Sequence, residues 1–406
     1  MAEEMPKPGP LRGVRVIELG QLLAGPFCGS RLADFGAEVI KVEAPGKGDP
    51  MRDWGHHRYK GRTLWWPILA RNKKSITANL REDRGRDLVR RLAQSADVLI
   101  ENFKPGTLEN WGLGPDDLHA VNPRLVIARI SGYGQTGPYA EKPGFASVGE
   151  AIGGLRYING FPGGPPPRAG ISLGDTLTGM FAVQGILMAL YWRDALGGGK
   201  GQVIDAAITE SCFTMMESAL PEYDKLGVVR EPSGTGLANV APSNLYPTKD
   251  DGWTIIAANV DSMFRRLCDA MGRPELAEDP RYATHQARGD NAEQLDGLIA
   301  DWTRTLTAAE LTEKLEPAGV VCGPIYTIAD IAADPHFQAR GMLRRMEEPE
   351  LGEMAIPGIA PQLSETPSDI DWLGPPRPGS HNVEIYGGLL GLTDDELAVL
   401  ADDGII

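Results

Sequence analysis

The chain has 406 residues, a formal net charge of −15, 42% hydrophobic residues and 23% charged residues. This length is sufficient for two domains, and the composition is that of a folded soluble protein rather than of a disordered chain. The negative charge argues against broad contact with nucleic acid, because that affinity comes largely from neutralising phosphates.

The start of the chain has no basic segment leading into an apolar core, so no secretory signal is expected. The longest apolar stretch, Met180 to Trp192, contains Gln184 and is shorter than the roughly 20 residues that span a bilayer. The cysteines lie far apart without a C-x-x-C pair, which argues against a zinc site or a disulfide framework: Cys28, Cys212, Cys268 and Cys322. We expect a cytoplasmic protein with reduced thiols, no metal and no membrane or nucleic-acid partner.

Strand-like runs rich in Val and Ile alternate with helical patterns in the first half of the chain. This alternation predicts right-handed βαβ units and a parallel sheet covered on both faces, hence an α/β fold. The expected strands are residues 14–19, 38–43, 98–103, 125–130 and 202–208, and the expected helices are residues 26–35, 83–96 and the segment after Asp175.

A second, smaller domain is predicted from about residue 225. It combines a glycine-containing loop with the strand "WTIIAAN" and three helical patterns. The Pro-rich stretch at 372–382 predicts an extended linker. The helical patterns cover about 261–271, 291–305 and 307–316, with a last helix near 394–401.

The segment "GYGQTG" at 132–137 matches the G-x-G-x-x-G pattern of dinucleotide-binding proteins and follows a predicted strand. Such a fingerprint must open a helix, whose N-terminus holds the pyrophosphate. Pro138 and Pro143 instead indicate an irregular segment, so we predict no dinucleotide site. No Walker motif is present.

A basic segment interrupts the acidic chain. Residues 71–91 carry eight basic and three acidic residues, a net charge of +5. A run of charge is often a solvated helix face, but it also suits a pocket for a small polyanion. The sequence leaves both interpretations open.

Asp175 follows a glycine in "LGDTLTG" and precedes a long apolar run. This position predicts an N-cap for a helix beginning at Thr176. A carboxylate at a helix N-terminus is also kept ionised by the helix dipole and is therefore available as a nucleophile. The two roles are compatible.

The chain as a whole resembles the class III CoA-transferases, the formyl-CoA transferase and carnitine CoA-transferase family. The resemblance runs from about Leu11 to Ile406 and implies that Asp175 is the catalytic nucleophile. It also implies a Rossmann-like large domain (1–224), a small domain (225–330), and a C-terminal segment (331–406) that returns to the large domain. Two such chains interlock like linked rings, as a homodimer or with a related subunit. The segments that show the resemblance to this family are "LRGVRVIELGQLLAGPFCGSRLADFGAEVIKVEAPGKGDPMR", "DVLIENFKPGTLENWGL", "SGYGQTGPYA", "GDTLTGM" and "GGGKGQVIDAAITES".

The resemblance assigns the contacts to CoA, which is a polyanion and a substrate rather than a permanently bound cofactor. Formyl-CoA transferases have Gln where this chain has Leu23, Arg where it has Ala44 and Arg where it has Asn110. The implied CoA-binding residues are Leu23, Ala24, Asn79, Leu80, Arg81, Asn102, Phe103 and Lys104.

The sibling activity in the family, α-methylacyl-CoA racemisation, uses a "GHD" motif for acid/base chemistry. Phe145 and Ala146 occupy these positions here, so transferase is favoured over racemase. A non-catalytic CoA-binding subunit is the other alternative, against which Asp175 argues. Within the family, the sequence as a whole is most similar to succinyl-CoA:dicarboxylate CoA-transferases. The expected acid-side contacts are Phe145, Arg168, which would bind a second carboxylate, and the glycine loop with Gly234 and Gly236.

Overall fold

The structure, a computed structural model, describes residues 9–237 and 239–406. The chain forms two units. The first comprises the described residues up to Leu155, together with Ala169–Glu217 and His336–Ile406, and the second comprises Arg156–Arg168 and Ser218–Pro335. The sequence placed the domain boundaries after residues 224 and 330 and did not separate 156–168 from the large domain.

The strands, in chain order, are β1 (Arg15–Glu18), β2 (Glu38–Glu43), β3 (Arg58–Tyr59), β4 (Arg62–Thr63), β5 (Lys73–Thr77), β6 (Val98–Glu101), β7 (Val126–Ser131), β8 (Val203–Ala207), β9 (Ser243–Pro247), β10 (Trp253–Ala257), β11 (Val321–Pro324), β12 (Leu343–Glu348) and β13 (Gly352–Pro357).

The helices are α1 (Ala24–Asp34), α2 (Trp65–Leu69), α3 (Asp83–Ala93), α4 (Thr107–Asn110), α5 (Pro115–Val121), α6 (Ala146–Ile152), α7 (Leu173–Asp194), α8 (Ile208–Thr214), α9 (Ala219–Leu226), α10 (Asp261–Met271), α11 (His285–Asp290), α12 (Ala292–Thr303), α13 (Ala308–Leu315), α14 (Ile328–Ala333), α15 (Pro335–Ala339), α16 (Gly388–Leu390) and α17 (Asp394–Asp402).

A six-stranded parallel sheet in the order β5-β2-β1-β6-β7-β8 organises the first unit. Alternate strand residues face opposite sides. Ile17, Ile40 and Leu99 pack with α3 and the C-terminal segment, whereas Val16, Val39 and Val98 pack with α1 and α7. The predicted α/β class with a parallel sheet is confirmed.

Helix α7 is longer than the apolar stretch suggested. Its 22 residues make it long and apolar enough to cross a membrane by length and composition, so the argument from length was wrong. One side of α7 nevertheless belongs to the core, where Ala182, Ile186 and Ala189 are buried. This packing is that of a core helix in a folded unit.

The second unit contains a three-stranded antiparallel sheet in the order β11-β10-β9. Ile256 of β10 packs with Phe264 and Leu267 of α10 and with Leu295 of α12. The helix expected at 261–271 has these bounds as α10.

Strand β5 was missed by the sequence reading, because "KKSIT" is polar where a buried strand is normally apolar. Lys73 is 1% exposed, and its charge is paired within the protein. A buried ion pair removed the hydrophobic signal that predicts strands.

Candidate active site

The first unit has a topological switch point between β1 and β6. Chain order runs outward from β1 through β2 to β5, and then outward on the other side from β6 to β8. In open α/β sheets, ligands bind in the crevice at the carboxyl ends of the strands at such a point. The loops after β1 and β6 are therefore the expected walls of a site.

A cavity of about 390 Å³ occupies this position. Six predicted site residues line it: Leu23, Ala24, Asn102, Phe103, Lys104 and Phe145. The predicted catalytic residue, Asp175, lines the same cavity, so predicted residues up to 152 positions apart in the chain meet at one place. Its further lining residues are Gln21, Leu22, Met51, Trp54, Pro105, Ile130, Ser131, Gly132, Ala140, Lys142, Pro143, Gly144, Ser172 and Ile208.

Asp175 lies in the first turn of α7 as its third residue, because the helix begins at Leu173 rather than at Thr176. The predicted N-cap role was therefore wrong. Ser172 occupies the N-cap position and makes no capping hydrogen bond with its side chain. A carboxylate in the first turn still experiences the positive end of the helix dipole, which favours its ionised form.

Asn102 holds the loop after β1. Its Oδ1 accepts the N–H of Gln21 at 2.7 Å, and its Nδ2 donates to the carbonyl of Gln21 at 2.8 Å. The side-chain amide thus pairs with one backbone residue in the manner of a β-bridge. Asn102 lines the cavity, and these two bonds show what its amide does within the protein.

A buried ionic cluster also holds the loop after β1 in place. Asp49 accepts the N–H groups of Leu22 at 3.1 Å and Met51 at 2.8 Å, and its Oδ2 lies 2.8 Å from Nζ of Lys41. Burial alone would raise the pKa of Asp49, but Lys41 and the two N–H groups outweigh it and hold the pKa below its ordinary value. Leu22 has a φ of 60°, a strained conformation that these contacts maintain.

Lys41 also contacts Glu18, at 3.3 Å, and Glu18 in turn pairs with Lys73 at 2.7 Å. A Cβ on Gly29 of α1 would lie 1.9 Å from Oε2 of Glu18, so this glycine makes room for the buried pair. Lys73 belongs to the basic segment that the sequence suggested as a polyanion pocket, and its charge instead stabilises the fold through this buried pair.

The rest of the basic segment is also largely paired. Arg71 is 1% exposed and binds both oxygens of Asp34, each at 2.8 Å. Lys74 contacts Glu38 and Glu384 at 2.8 and 2.7 Å. Arg81 is exposed. Neither a uniformly solvated helix face nor a continuous basic pocket describes this segment.

The remaining predicted residues lie elsewhere. The N–H of Asn79 donates to the carbonyl of Ile405 at 2.7 Å, beside Leu80 and Arg81 in the loop after β5. Arg168, Gly234 and Gly236 belong to the second unit, where Gly234 donates to the carbonyl of Gly160 at 2.9 Å.

Glu150 and Lys142 are the site residues that the sequence reading missed. Lys142 lines the cavity, and its ammonium stands 3.6 Å from the ring centre of Tyr139. Glu150 is 2% exposed and accepts the N–H of Gly174, the neighbour of Asp175. A Glu within an otherwise apolar helical run was the one signal that could have identified it.

Phe145 lines the cavity and is 66% exposed, at the start of α6. Among residues 9–237 and 239–406, no group of three or more His, Cys, Asp or Glu side chains is arranged to hold a metal ion. The cavity thus combines one half-buried carboxylate, two lysines and apolar walls.

Comparisons with known proteins agree in one family. The model of CoA-transferase family III matches residues 11–382. The chain is 56% identical to succinyl-CoA–D-citramalate CoA-transferase of Chloroflexus aurantiacus, over 100% of both chains. It is 41% identical to the beta subunit of succinyl-CoA–L-malate CoA-transferase of the same organism, over 98% of each. A crystal structure of a CaiB/BaiF family protein from Brucella suis superposes with a TM-score of 0.82 at 36% identity, covering 94% of this chain and 100% of that one. The chain with its Asp175 cavity therefore belongs to CoA-transferase family III.

Proposed function

We propose that the protein transfers CoA from succinyl-CoA to a free dicarboxylic acid, with Asp175 as the covalent nucleophile. The observation that carries this proposal is the cavity, in which Asp175 meets five residues expected to contact CoA. The substrate class is supported by the relatives, whose names specify succinyl-CoA with citramalate or malate.

The chemistry begins when an oxygen of Asp175 attacks the thioester carbonyl of the donor. The C–S bond breaks, which gives a mixed anhydride and CoA thiolate. The thiolate then attacks the aspartyl carbon of the anhydride, and the donor acid leaves as its carboxylate. The product is an aspartyl-CoA thioester.

The acceptor carboxylate next attacks the aspartyl thioester, which releases CoA thiolate and forms a second anhydride. The thiolate attacks the acceptor's acyl carbon, and Asp175 leaves as a carboxylate. Each exchange needs only a nucleophile and a leaving group, so no external oxidant or base enters the balance.

The charges of the cavity suit an anionic substrate. Lys104 and Lys142 both line it, and two cations in the lining favour a phosphate-bearing thioester in a protein whose net charge is −15. Racemisation is disfavoured, because Phe145 and Ala146 supply no acid or base at the positions where the racemases have their motif. Arg168 remains our candidate for the second carboxylate of a dicarboxylic acid.

The active protein is a dimer in this proposal, formed with an identical or a related subunit. Exposed apolar side chains line the part of α7 that the core does not cover, and monomeric proteins rarely leave such a patch open. The patch comprises Met180, Leu187, Met188, Tyr191 and Trp192. Among the relatives, the malate enzyme has alpha and beta subunits.

A panel of free acids incubated with succinyl-CoA, with products measured by mass spectrometry, tests the substrate class. We expect new acyl-CoA from dicarboxylates such as citramalate and malate. Wild-type preference for monocarboxylates would contradict the substrate class, and Arg168→Ala should weaken the use of dicarboxylates alone.

Asp175→Asn tests the nucleophile. We expect no measurable transfer and an unchanged unfolding transition, because the amide is isosteric but cannot form the anhydride. Peptide mapping of the wild type after incubation with succinyl-CoA alone should locate an adduct on Asp175. An active Asn variant would refute the assignment.

A further inference from the structure

The helix that carries Asp175 begins without a local cap. The first N–H groups of a helix have no acceptor within it, and the side chain of Ser172 supplies none. The N–H of Gly174 instead donates to Oε1 of Glu150, at 2.9 Å, in a buried bond that spans 24 positions in the chain. Helix α6 therefore provides the cap for α7.

Both polar atoms of the Gly174 backbone are held by side chains. Glu150 accepts its N–H, and the hydroxyl of Thr178 donates to its carbonyl at 2.7 Å. A Cβ on Gly174 would lie 3.0 Å from Cγ of Glu150 and 3.1 Å from Cγ2 of Ile208. The backbone of Gly174 is therefore in direct contact with Glu150, without a side chain between them.

The N–H of Gly174 belongs to the Leu173–Gly174 peptide and its carbonyl to the Gly174–Asp175 peptide, so Glu150 and Thr178 hold the two peptides that precede Asp175. Glu150 and Asp175 also face a common neighbour, Cys212. Burial raises the pKa of the Cys212 thiol to about 11, and the nearby charges of Glu150 and Asp175 add to the effect. Both carboxylates are thus close enough to Cys212 to influence its thiol.

We propose that Glu150 is a positioning residue for the transferase reaction: it fixes the Leu173–Gly174 peptide at the start of α7, and thereby the backbone that carries Asp175, so that the Asp175 carboxylate faces the thioester in the cavity. The inference rests on the proposed role of Asp175 as nucleophile. Glu150 does not line the cavity, so it acts through the backbone and not by touching substrate. Its essential property is the reach of an acceptor oxygen, not its charge.

Two conservative variants separate reach from charge. Glu150→Gln keeps the length and an acceptor oxygen but removes the charge, whereas Glu150→Asp keeps the charge but withdraws it by one methylene. We expect kcat within about threefold of wild type for Gln. For Asp we expect kcat to fall roughly 100-fold, the order of loss that follows a misplacement of about 1 Å. The KM for succinyl-CoA should stay within about twofold in both, because the cavity walls are unchanged.

Asn122→Ala is the matched control. Asn122 donates two hydrogen bonds, to the carbonyls of Ala93 at 2.9 Å and Ala96 at 2.8 Å, away from the cavity. Its loss should lower the unfolding temperature without changing kcat per folded protein. A merely structural Glu150 would behave in the same way, and wild-type kcat in Glu150→Asp would overturn the inference.

The rate at which succinyl-CoA labels residue 175 distinguishes this inference from the proposed function. Labelling of wild type with slow labelling of Glu150→Asp supports both. Labelling of both proteins at one rate overturns the role of Glu150 alone, and no labelling of wild type overturns the nucleophile on which that role depends. A loss of kcat in Glu150→Gln with wild-type kcat in Glu150→Asp would show that charge, not reach, is essential.

Discussion

At the scale of single residues, the site depends on charges that are buried and paired. Lys41 is 1% exposed and contacts two carboxylates, those of Asp49 and Glu18. Burial lowers the pKa of Lys41, but these carboxylates outweigh it and raise the pKa above its ordinary value. The lysine therefore stays charged and keeps the loop of Leu22 in place through Asp49.

Lys41→Met should destabilise the protein by about 3–5 kcal/mol, because removing one partner leaves buried carboxylates uncompensated. Arg84→Met is the control, since the pair of Arg84 with Asp403 is about half exposed on both sides and should be worth at most about 1 kcal/mol. Urea unfolding of the three proteins measures both losses. Similar small losses in the two variants would contradict the structural role of the cluster.

At the scale of elements, the close approach of α1 and α7 places the cavity wall beside Asp175. A Cβ on Gly179 of α7 would lie 2.8 Å from Cδ1 of Phe27 and 3.1 Å from the carbonyl oxygen of Ala24. Ala24 begins α1 and lines the cavity. The absence of a side chain at Gly179 thus lets α1 and α7 pack closely, and this packing fixes the position of Ala24 in the cavity wall.

Gly179→Val should separate the two helices, lower stability by about 1–3 kcal/mol through overpacking, and raise the KM for succinyl-CoA. Gly297→Val is the control, because Gly297 lies within α12 and its Cβ would meet no atom within 4 Å. Thermal unfolding and steady-state kinetics test the pair. A Gly179→Val variant that is destabilised but keeps the wild-type KM would show that the packing of α1 against α7 does not determine the shape of the site.

At the scale of the whole molecule, the exposed apolar patch on α7 is the surface on which the proposed dimer rests. Met188 and Tyr191 are 60% and 61% exposed, which is unusual for such side chains on a helix that also contributes to the core. A second subunit would remove this surface from water.

Met188→Glu should shift the protein toward the monomer in sedimentation velocity, because burying an unpaired carboxylate in an interface is costly. Val399→Glu is the control: Val399 is 53% exposed on α17, and its substitution should leave the distribution unchanged. A monomeric wild type would refute the dimer, and a Met188→Glu dimer would place the interface elsewhere.

The sequence by itself determined the parallel α/β core, the helix after Asp175 and the family. These features are encoded locally, because hydrophobic periodicity and contiguous motifs survive in a single stretch of chain. It also led to the rejection of a dinucleotide site at 132–137: no helix opens there, and the next one, α6, begins at Ala146.

Only the tertiary structure decided which charges are structural and what holds the backbone beside Asp175. Lys73 and Glu18 are 55 positions apart, Asn102 and Gln21 are 81 apart, and Glu150 and Gly174 are 24 apart. Such pairs leave no periodic signal, because each partner looks like an ordinary polar residue in its own segment. These pairs form because burial makes an unpaired polar or charged group costly in free energy. The folded structure must therefore provide a partner for each of them, and that partner comes from a distant part of the chain.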